Sequence, residues 1–167
     1  MTSIGQYAFY NCSGLTSVTI PDSVTSIDSS AFSGCSGLTS INVESGNTAY
    51  RSEGNCLIQI SNNRLISGCK NSIIPDSVTS IGQYAFYNCR GLTSITIPSG
   101  VTSIGSSAFY DCRGLTSVTL GAISSANFSS DYSFPSFPGD LRTKYFAAGG
   151  GAGTYVRAGG LDSWTKQ

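Results

Sequence analysis

The fold of this chain is decided by one stretch, Leu15-Thr16-Ser17-Val18-Thr19-Ile20-Pro21-Asp22-Ser23-Val24-Thr25-Ser26-Ile27. β-Branched residues dominate it and apolar side chains alternate at Val18 and Ile20, which predicts a short strand over residues 16–20. A second short strand is expected over residues 24–27, on another side of the chain's path. Pro21 stands between the two strands, where its missing N–H costs the hydrogen-bond ladder least.

The same pattern returns along the chain. The block of residues 3–12 recurs letter for letter at 80–89, and looser copies occupy residues 26–35 and 103–112. The register is fixed by one slot, which holds in turn Leu15, Leu38, Cys69, Leu92 and Leu115. The spacings are 23, 31, 23 and 23 residues, so one rung carries extra residues. Self-similarity of this kind indicates a stack of equivalent turns.

The beginning of each copy follows the pattern L-x-x-L-x-L, which is the leucine-rich repeat signature. We therefore predict a β-rich solenoid with 23-residue rungs, short strands, and turn or short helical segments at the recurring Ala-Phe pair. The solenoid is expected over residues 1–120, with a long variant rung at about 38–68. Because one rung cannot bury a core alone, neighbouring rungs must share one.

The six cysteines fall into two groups. Cys12, Cys35, Cys89 and Cys112 share one repeat position, which is typical of a buried ladder of small apolar side chains. They lack paired C-x-x-C spacing, so zinc is not expected.

Cys56 and Cys69 flank a segment that we predict to fold as a hairpin over residues 56–69. Asn62-Asn63 suits a two-residue turn, since Asn tolerates positive φ. This register places Cys56 opposite Cys69, near disulfide geometry. Two alternatives remain open: a disulfide in an oxidising compartment, and a reduced pair that closes the long rung.

The repeat fades after Leu120, and we expect residues 121–167 to cap the open end of the stack. Residues 141–148 predict one or two helical turns, and a hairpin is expected over about 154–166, turning at Gly159-Gly160. Aromatic side chains are expected to pack over the last rung: Phe128, Tyr132, Phe134 and Phe137. The hairpin register predicts two facing pairs, Tyr155 with Trp164 and Arg157 with Asp162.

Composition excludes several classes of function. Histidine is absent, so neither Ser-His-Asp nor Cys-His catalysis is possible, and we predict a protein that is not an enzyme and needs no cofactor or metal. Nine basic and nine acidic residues cancel, so nucleic acid is not an expected partner. No apolar run is long enough to insert in a membrane. Because the sequence begins at Met1 in the middle of a repeat, we expect the natural chain to have further repeats and an export signal before this residue.

The repeat, read as L-T-S-V-T-I-P-D-S-V-T-S-I-x-x-x-A-F-x-x-C, resembles the bacterial surface leucine-rich repeat proteins called BspA-like, or Treponema-type. The long rung and the ending at residues 151–167 are similar to segments of such proteins. The resemblance implies a secreted or cell-surface protein, some of whose relatives adhere to host proteins or to other microbes. It carries over no catalytic residue and no fixed ligand-binding residue.

Two surfaces are candidate binding sites. The first is the stripe of outward strand positions, interrupted by Ile73: Ser17, Thr19, Ser40, Asn42, Asn71, Ser94, Thr96, Ser117 and Thr119. The second combines residue types that interfaces favour: Tyr10, Tyr87, Tyr110, Arg90 and Arg113.

We therefore predict a non-catalytic scaffold that mediates adhesion through a host or microbial surface protein or glycan. The alternative is a structural spacer that presents another domain and has no ligand of its own. Ice binding by stacked hydroxyl rows is disfavoured, because Asn and Ile interrupt the rows.

Overall fold

The computed structural model describes residues 1–129, 135–158 and 163–167. Short strands dominate the described chain, joined by turns, with one α-helix, α1 (Leu141–Phe146), and one 3-10 turn, Ser125–Asn127. The strands are β1 (Ser3–Ile4), β2 (Ser17–Ile20), β3 (Ser26–Ile27), β4 (Ser40–Val43), β5 (Tyr50–Glu53), β6 (Cys56–Gln59), β7 (Arg64–Ser67), β8 (Ser80–Ile81), β9 (Ser94–Ile97), β10 (Ser103–Ile104), β11 (Ser117–Leu120), β12 (Gly153–Val156) and β13 (Thr165–Lys166).

Equivalent strands of successive rungs pair in parallel. The longer strands pair as β2 with β4 and β9 with β11, and the two-residue strands pair as β1 with β3 and β8 with β10. Ser17 faces Ser40 and Ser94 faces Ser117, so the register equals the repeat length of the sequence. Both predicted strands of the rung are confirmed, and the chain is a β-rich solenoid.

Apolar side chains of equivalent positions point inward as shared columns. Leu38, Leu92 and Leu115 are buried, and Cys69 takes the same slot in the long rung. The Phe86 and Phe109 rings stack at 4.8 Å, and Phe9 and Phe32 stack at 5.1 Å. Each rung therefore buries its apolar residues against its neighbours, as the repeat pattern requires.

Three of the four cysteines that share one repeat position, Cys35, Cys89 and Cys112, are buried. The thiol of Cys112 donates to the carbonyl of Phe86 at 3.0 Å, and that of Cys35 donates to the carbonyl of Phe9 at the same distance. The prediction is wrong for Cys12, which is exposed. Cys12 lies in the first rung, where no earlier rung supplies a carbonyl or covers the sulfur.

The long rung interrupts the coil with an antiparallel meander, in which β6 lies between β5 and β7. Both faces of the β6–β7 hairpin are buried. Leu57 and Ile66 pack into the core of the N-terminal rungs, whereas Ile58 and Leu65 pack into the core of the C-terminal rungs. The hairpin is thus a shared layer between two stacks, which explains its near-continuous apolar sequence.

The hairpin is present, but the predicted register is wrong. Ile58 lies opposite Leu65 and Gln59 opposite Arg64, so residues 60–63 form the turn and Asn63 takes the positive φ of 53°. A register shift beyond Ile58 then places Leu57 opposite Ser67. The ladder consequently does not bring Cys56 opposite Cys69. All six cysteines are free thiols in this structure.

Residues after Leu120 pack on the last rung. β12 pairs antiparallel with β11, and the Phe137 ring stacks on Phe109 at 4.4 Å. The predicted short helix is confirmed as α1, whose Tyr145 hydroxyl accepts from the Ile123 N–H and donates to the Gly121 carbonyl, both at 2.8 Å. Phe128 is buried in the same core. Tyr132 and Phe134 lie outside the described residues.

The terminal strands β12 and β13 pair with a register different from the predicted one. Tyr155 lies opposite Lys166 and Val156 opposite Thr165, so the predicted pairing of Tyr155 with Trp164 is wrong. Arg157 contacts Trp164 instead, with its guanidinium carbon 5.1 Å from the ring centroid. Asp162 and the Gly159-Gly160 turn lie outside the described residues.

Candidate binding surface

The turn that carries the Ala-Phe pair has a fixed backbone conformation. One position in it has positive φ in all four copies, with values between 56° and 81°. It is occupied by Asn11, Gly34, Asn88 and Asp111. These residue types tolerate the left-handed region, so the sequence at this position is selected by the backbone.

Tyrosine occupies a second left-handed position, which is unfavourable for a bulky side chain. Tyr7 has a φ of 58° and Tyr84 a φ of 61°. Each packs edge-to-face on the tyrosine three residues later: Tyr7 on Tyr10 at 5.1 Å, and Tyr84 on Tyr87 at 5.6 Å. Local strain of this kind costs on the order of 1–3 kcal/mol and concentrates at functional sites.

The second rung breaks the tyrosine row. Tyr10, Tyr87 and Tyr110 occupy equivalent positions, but the second rung has Ser33 there. At the other tyrosine position, that of Tyr7 and Tyr84, the second rung has Ser30 and the last copy has Ser107. The long rung contributes no such turn, so the Gly34 N–H donates directly to the Tyr87 carbonyl at 3.2 Å. Tyr87 and Tyr110 stack at 5.5 Å, whereas Tyr10 and Tyr87 flank a gap at Ser33.

This gap is an open cavity of about 440 Å³, which we call the tyrosine cleft; it is lined by Tyr7, Tyr10, Ser33, Tyr84 and Tyr87. Ser33 is only 4% exposed, and within the described chain its hydroxyl oxygen has no hydrogen-bond partner. Tyr7 and Tyr10 are 50% and 44% exposed.

Two arginines share one aspartate beside the tyrosine row. Asp111 accepts from Arg90 at 2.8 Å and from Arg113 at 2.5 Å. Burial alone would raise the pKa of Asp111, but the hydrogen bonds from Arg113 and Arg90 outweigh burial and hold the pKa below its ordinary value. The pKa of Tyr87 is raised by burial first, and then by the neighbouring Tyr10. Of the predicted residues, Tyr10 and Tyr87 line the cleft, Tyr110 stacks on Tyr87, and Arg90 and Arg113 gather on Asp111 outside the lining.

The strand stripe is divided in two. β2 and β4 carry the first half, β9 and β11 the second, and residues 70–74 form no strand between them. Asn71 instead donates its side-chain amide to the Thr39 carbonyl at 3.4 Å. The members are exposed or half-buried, and Thr119 bonds the Thr154 hydroxyl at 2.9 Å.

Little in the described chain suits covalent or metal chemistry. Burial raises the pKa of Cys35 to about 11 and those of Cys56 and Cys89 to about 12, so these thiols stay protonated at neutral pH. Within residues 1–129, 135–158 and 163–167, no three side chains of His, Cys, Asp or Glu come together as a metal site would need. In the same ranges, no helix has the length and apolar character needed to cross a membrane.

Sequence reasoning missed three residues of the cleft, namely Tyr7, Ser33 and Tyr84. The signal was present in the repeat alignment, because Ser33 is the one departure from tyrosine at its position. What the alignment did not reveal is that the long rung lacks this turn. That omission brings the second-rung turn beside the one at residues 83–89.

The stacked rungs, the columns of leucine and phenylalanine and the parallel short strands define a leucine-rich repeat solenoid. The chain belongs to the BspA type leucine rich repeat region family, whose pattern matches residues 2–67 and 59–137 in six copies. The two matched ranges meet at the β6–β7 hairpin, where the two cores also meet. No curated protein sequence matches the chain.

Solved structures of bacterial repeat proteins are similar to this chain. A leucine-rich repeat protein from Eubacterium ventriosum is 28% identical over 74% of this chain and 41% of its own, with a TM-score of 0.56. A leucine rich cell surface protein from Faecalibacterium prausnitzii is 33% identical over 65% of this chain and 31% of its own, with a TM-score of 0.58. The pneumococcal vaccine antigen PcpA is 25% identical over 64% and 28%, with a TM-score of 0.58. The chain spans less than half the length of these proteins.

Proposed function

We propose that this chain is a non-catalytic binding module of a secreted or cell-surface bacterial protein, and that it mediates adhesion to a host or microbial surface protein or glycan. The tyrosine cleft carries this proposal. Aromatic side chains that remain half-exposed around a cavity are the groups that binding sites use as anchors. The similarity to a leucine rich cell surface protein supports an extracellular or cell-surface location.

The strand stripe is a weaker candidate, because small hydroxyl side chains bury little area and provide no anchor. Arg90 and Arg113 are proposed to contribute at the edge of the cleft. Asp111 pairs with both arginines, so we expect them to contribute stacking area more than electrostatic attraction.

The proposal is tested by binding of the labelled chain to mammalian epithelial cells, extracellular-matrix proteins and bacterial cells. The double variant Tyr10→Ser/Tyr87→Ser introduces the residue that the second rung already uses. We expect it to lower binding at least tenfold. The matched variant Thr19→Ala/Thr96→Ala changes the strand stripe and should bind as the parent chain does. Absence of binding to every surface, or binding equal in both variants, would contradict the proposal.

A spacer role is the second candidate, favoured by the parallel pairing of equivalent strands in neighbouring rungs. It predicts that the chain binds nothing, while deletion of its repeats from the full-length protein lowers adhesion. Replacement by an unrelated solenoid of equal length would then restore adhesion, which a binding module does not allow.

A further inference from the structure

We propose that the tyrosine cleft accepts one uncharged pyranose ring of a neutral glycan, seated over Ser33 between the Tyr7–Tyr10 pair and the Tyr84–Tyr87 pair. This inference rests on the proposed binding function and names the ligand of the same site. It depends on three features of the cleft: its shape, its unpaired hydroxyl and its lack of charge.

The cleft has the shape of a gap in the row of tyrosine rings, at the rung where Ser33 takes the place of a tyrosine. The second-rung turn lies beside the first through the bond from Asn11 N–H to the Ser33 carbonyl at 2.9 Å, and beside the next through the Gly34–Tyr87 bond. Two rung spacings therefore separate the Tyr10 and Tyr87 backbones, about 10 Å in all. Since Tyr87 and Tyr110 stack at 5.5 Å, the missing layer has the thickness of one ring.

The floor of the cleft requires a polar partner. The Ser33 hydroxyl is buried and unpaired, and an unsatisfied buried hydroxyl is unfavourable. A phenylalanine side chain or a proline ring inserted above it would leave it unpaired. A pyranose presents apolar C–H groups on its faces, which pack on aromatic rings, and hydroxyl groups at its edge, which both donate and accept.

The lining selects an uncharged ligand. Every polar side-chain atom of the cleft is a hydroxyl oxygen, from four tyrosines and Ser33. The nearest arginines share the carboxylate of Asp111, and the lining of the cleft contains no charged side chain, so no charged group contacts a ligand seated there. The Tyr10 and Tyr87 side chains line the gap, and their hydroxyls become partners for hydroxyls of the sugar.

A second cavity is a weaker candidate for a ligand site than the tyrosine cleft. A groove of about 720 Å³ runs along β8 and β10 and ends at residues 125–129. Its lining includes four serines and Arg64, and its aromatic residue, Phe128, is fully buried and offers no exposed ring. The groove also adjoins residues 130–134, which lie outside the described chain.

The test is an NMR titration of the 167-residue chain carrying ring-labelled tyrosine, with glucose, galactose, mannose and N-acetylglucosamine as neutral probes and N-acetylneuraminic acid as the acidic one. We expect at least one neutral sugar to shift the rings of Tyr7, Tyr10, Tyr84 and Tyr87 with a millimolar dissociation constant. The buried Tyr145 and Tyr155 rings should not move, and the acidic sugar should bind at least tenfold more weakly.

Two variants separate binding from folding. Ser33→Tyr restores the residue of the other rungs and fills the cleft, so it should abolish the shifts while the melting temperature is kept. Ser33→Ala keeps the shape and should weaken sugar binding about fivefold to tenfold. Ser45→Ala, at an exposed turn after β4 and outside both candidate surfaces, is the control and should bind as the parent does.

The inference is overturned if no neutral sugar shifts the cleft tyrosines, or if the folded Ser33→Tyr variant binds sugar like the parent. Should Tyr10→Ser/Tyr87→Ser reduce adhesion to cells while excess neutral sugar does not compete, the site recognises a protein. The proposed binding function then stands and the glycan assignment fails.

Discussion

The guanidinium carbon of Arg157 lies over the Trp164 ring, 5.1 Å from its centroid, and the same side chain donates its Nε–H to the Leu115 carbonyl at 2.7 Å. Another of its nitrogens donates to the Cys112 carbonyl at 3.2 Å. Arg157 is only 8% exposed and Trp164 1%. One side chain thus joins the end of the chain to the turn of the last rung. We propose on this basis that residues 121–167 act as the cap of a solenoid formed by residues 1–120.

Arg157→Met is expected to lower the free energy of unfolding by about 2–4 kcal/mol, because it removes a cation–π contact and takes the guanidinium donor from the buried Leu115 carbonyl. The measurement is urea unfolding followed by the fluorescence of the single tryptophan. Lys144→Met, at an exposed site on α1, is the control and should change stability by about 0.5 kcal/mol or less. Equal effects of the two substitutions would contradict the capping role of Arg157.

Gly68 lies where the other rungs have a phenylalanine-bearing turn, and it gives room to Phe86. A Cβ at Gly68 would stand 2.1 Å from the Cε1 atom of that ring. We expect Gly68→Ala to destabilise the chain by about 1–3 kcal/mol through overpacking. Gly14→Ala is the matched control, since nothing lies within 4 Å of its added Cβ. Thermal unfolding of both variants checks the prediction, and a Gly68→Ala variant as stable as the control would refute it.

Cysteine reactivity should report the position of each thiol in the stack. Cys12 is exposed, whereas the other five are buried and burial raises the pKa values of Cys35, Cys56, Cys89 and Cys112. Iodoacetamide at pH 8 is expected to modify Cys12 first, giving a single adduct on the native chain and six after unfolding in guanidinium. Intact-mass spectrometry against time measures this order. Early modification of several thiols in the folded chain would show that the cysteine side chains other than Cys12 are accessible to the reagent and not buried.

Cys56 and Cys69 remain the pair that we propose to form a disulfide under oxidising conditions. They share a polar neighbour, since the Ser72 hydroxyl lies 3.7 Å from the Cys69 sulfur and also lowers the pKa of Cys56, though burial outweighs it. An oxidising glutathione buffer should join them slowly, because few thiolates exist at neutral pH. Peptide mapping without reduction should find one linked pair, absent from Cys56→Ser. A chain that keeps six thiols after prolonged oxidation would refute the pairing.

Asp111 should make stability depend on pH in acid. Its pKa is lowered in the folded chain from the ordinary 3.8, so its contribution is complete above that value and disappears as the pH falls through the lower folded pKa. Asp111→Asn, which keeps the tolerance for positive φ, is expected to be less stable than the parent at pH 7. The two midpoints of urea unfolding should converge below pH 3.8. Asp76→Asn, at an exposed turn, is the control, and a difference that persists in acid would exclude the ion pairs as its cause.

The strands and the core columns could be predicted because both are local properties repeated at a fixed interval. Val18 and Ile20 alternate within one strand, and the same alternation at each repeat leaves parallel pairing at that interval as the way to bury all copies. The exposure of Cys12 was not predicted, because the burial of a ladder residue depends on a neighbouring rung and not on its own sequence. The half-burial of Leu15 in the same first rung has the same origin.

The predicted registers of both hairpins are wrong for the same reason: each was inferred from the preferred turn alone. Asn62-Asn63 satisfies a two-residue turn locally, but the β6–β7 hairpin is buried on both faces, and the register that places Ile58 beside Leu65 serves two cores. In the terminal hairpin, the contact of Arg157 with Trp164 and with the carbonyls of the last rung sets the pairing. In each case burial of large side chains outweighs the preference of the turn.

The repeat alone determined the class of fold, the phase of the strands and the identity of the columns, since these follow from local propensity and a constant interval. Only the tertiary structure decided where the coil is interrupted and what that interruption creates. The omission of one turn in the long rung brings Ser33 between Tyr10 and Tyr87, although Tyr87 stands far away in the chain. A cleft between rungs depends on which turns are neighbours in space, and sequence order does not contain that information.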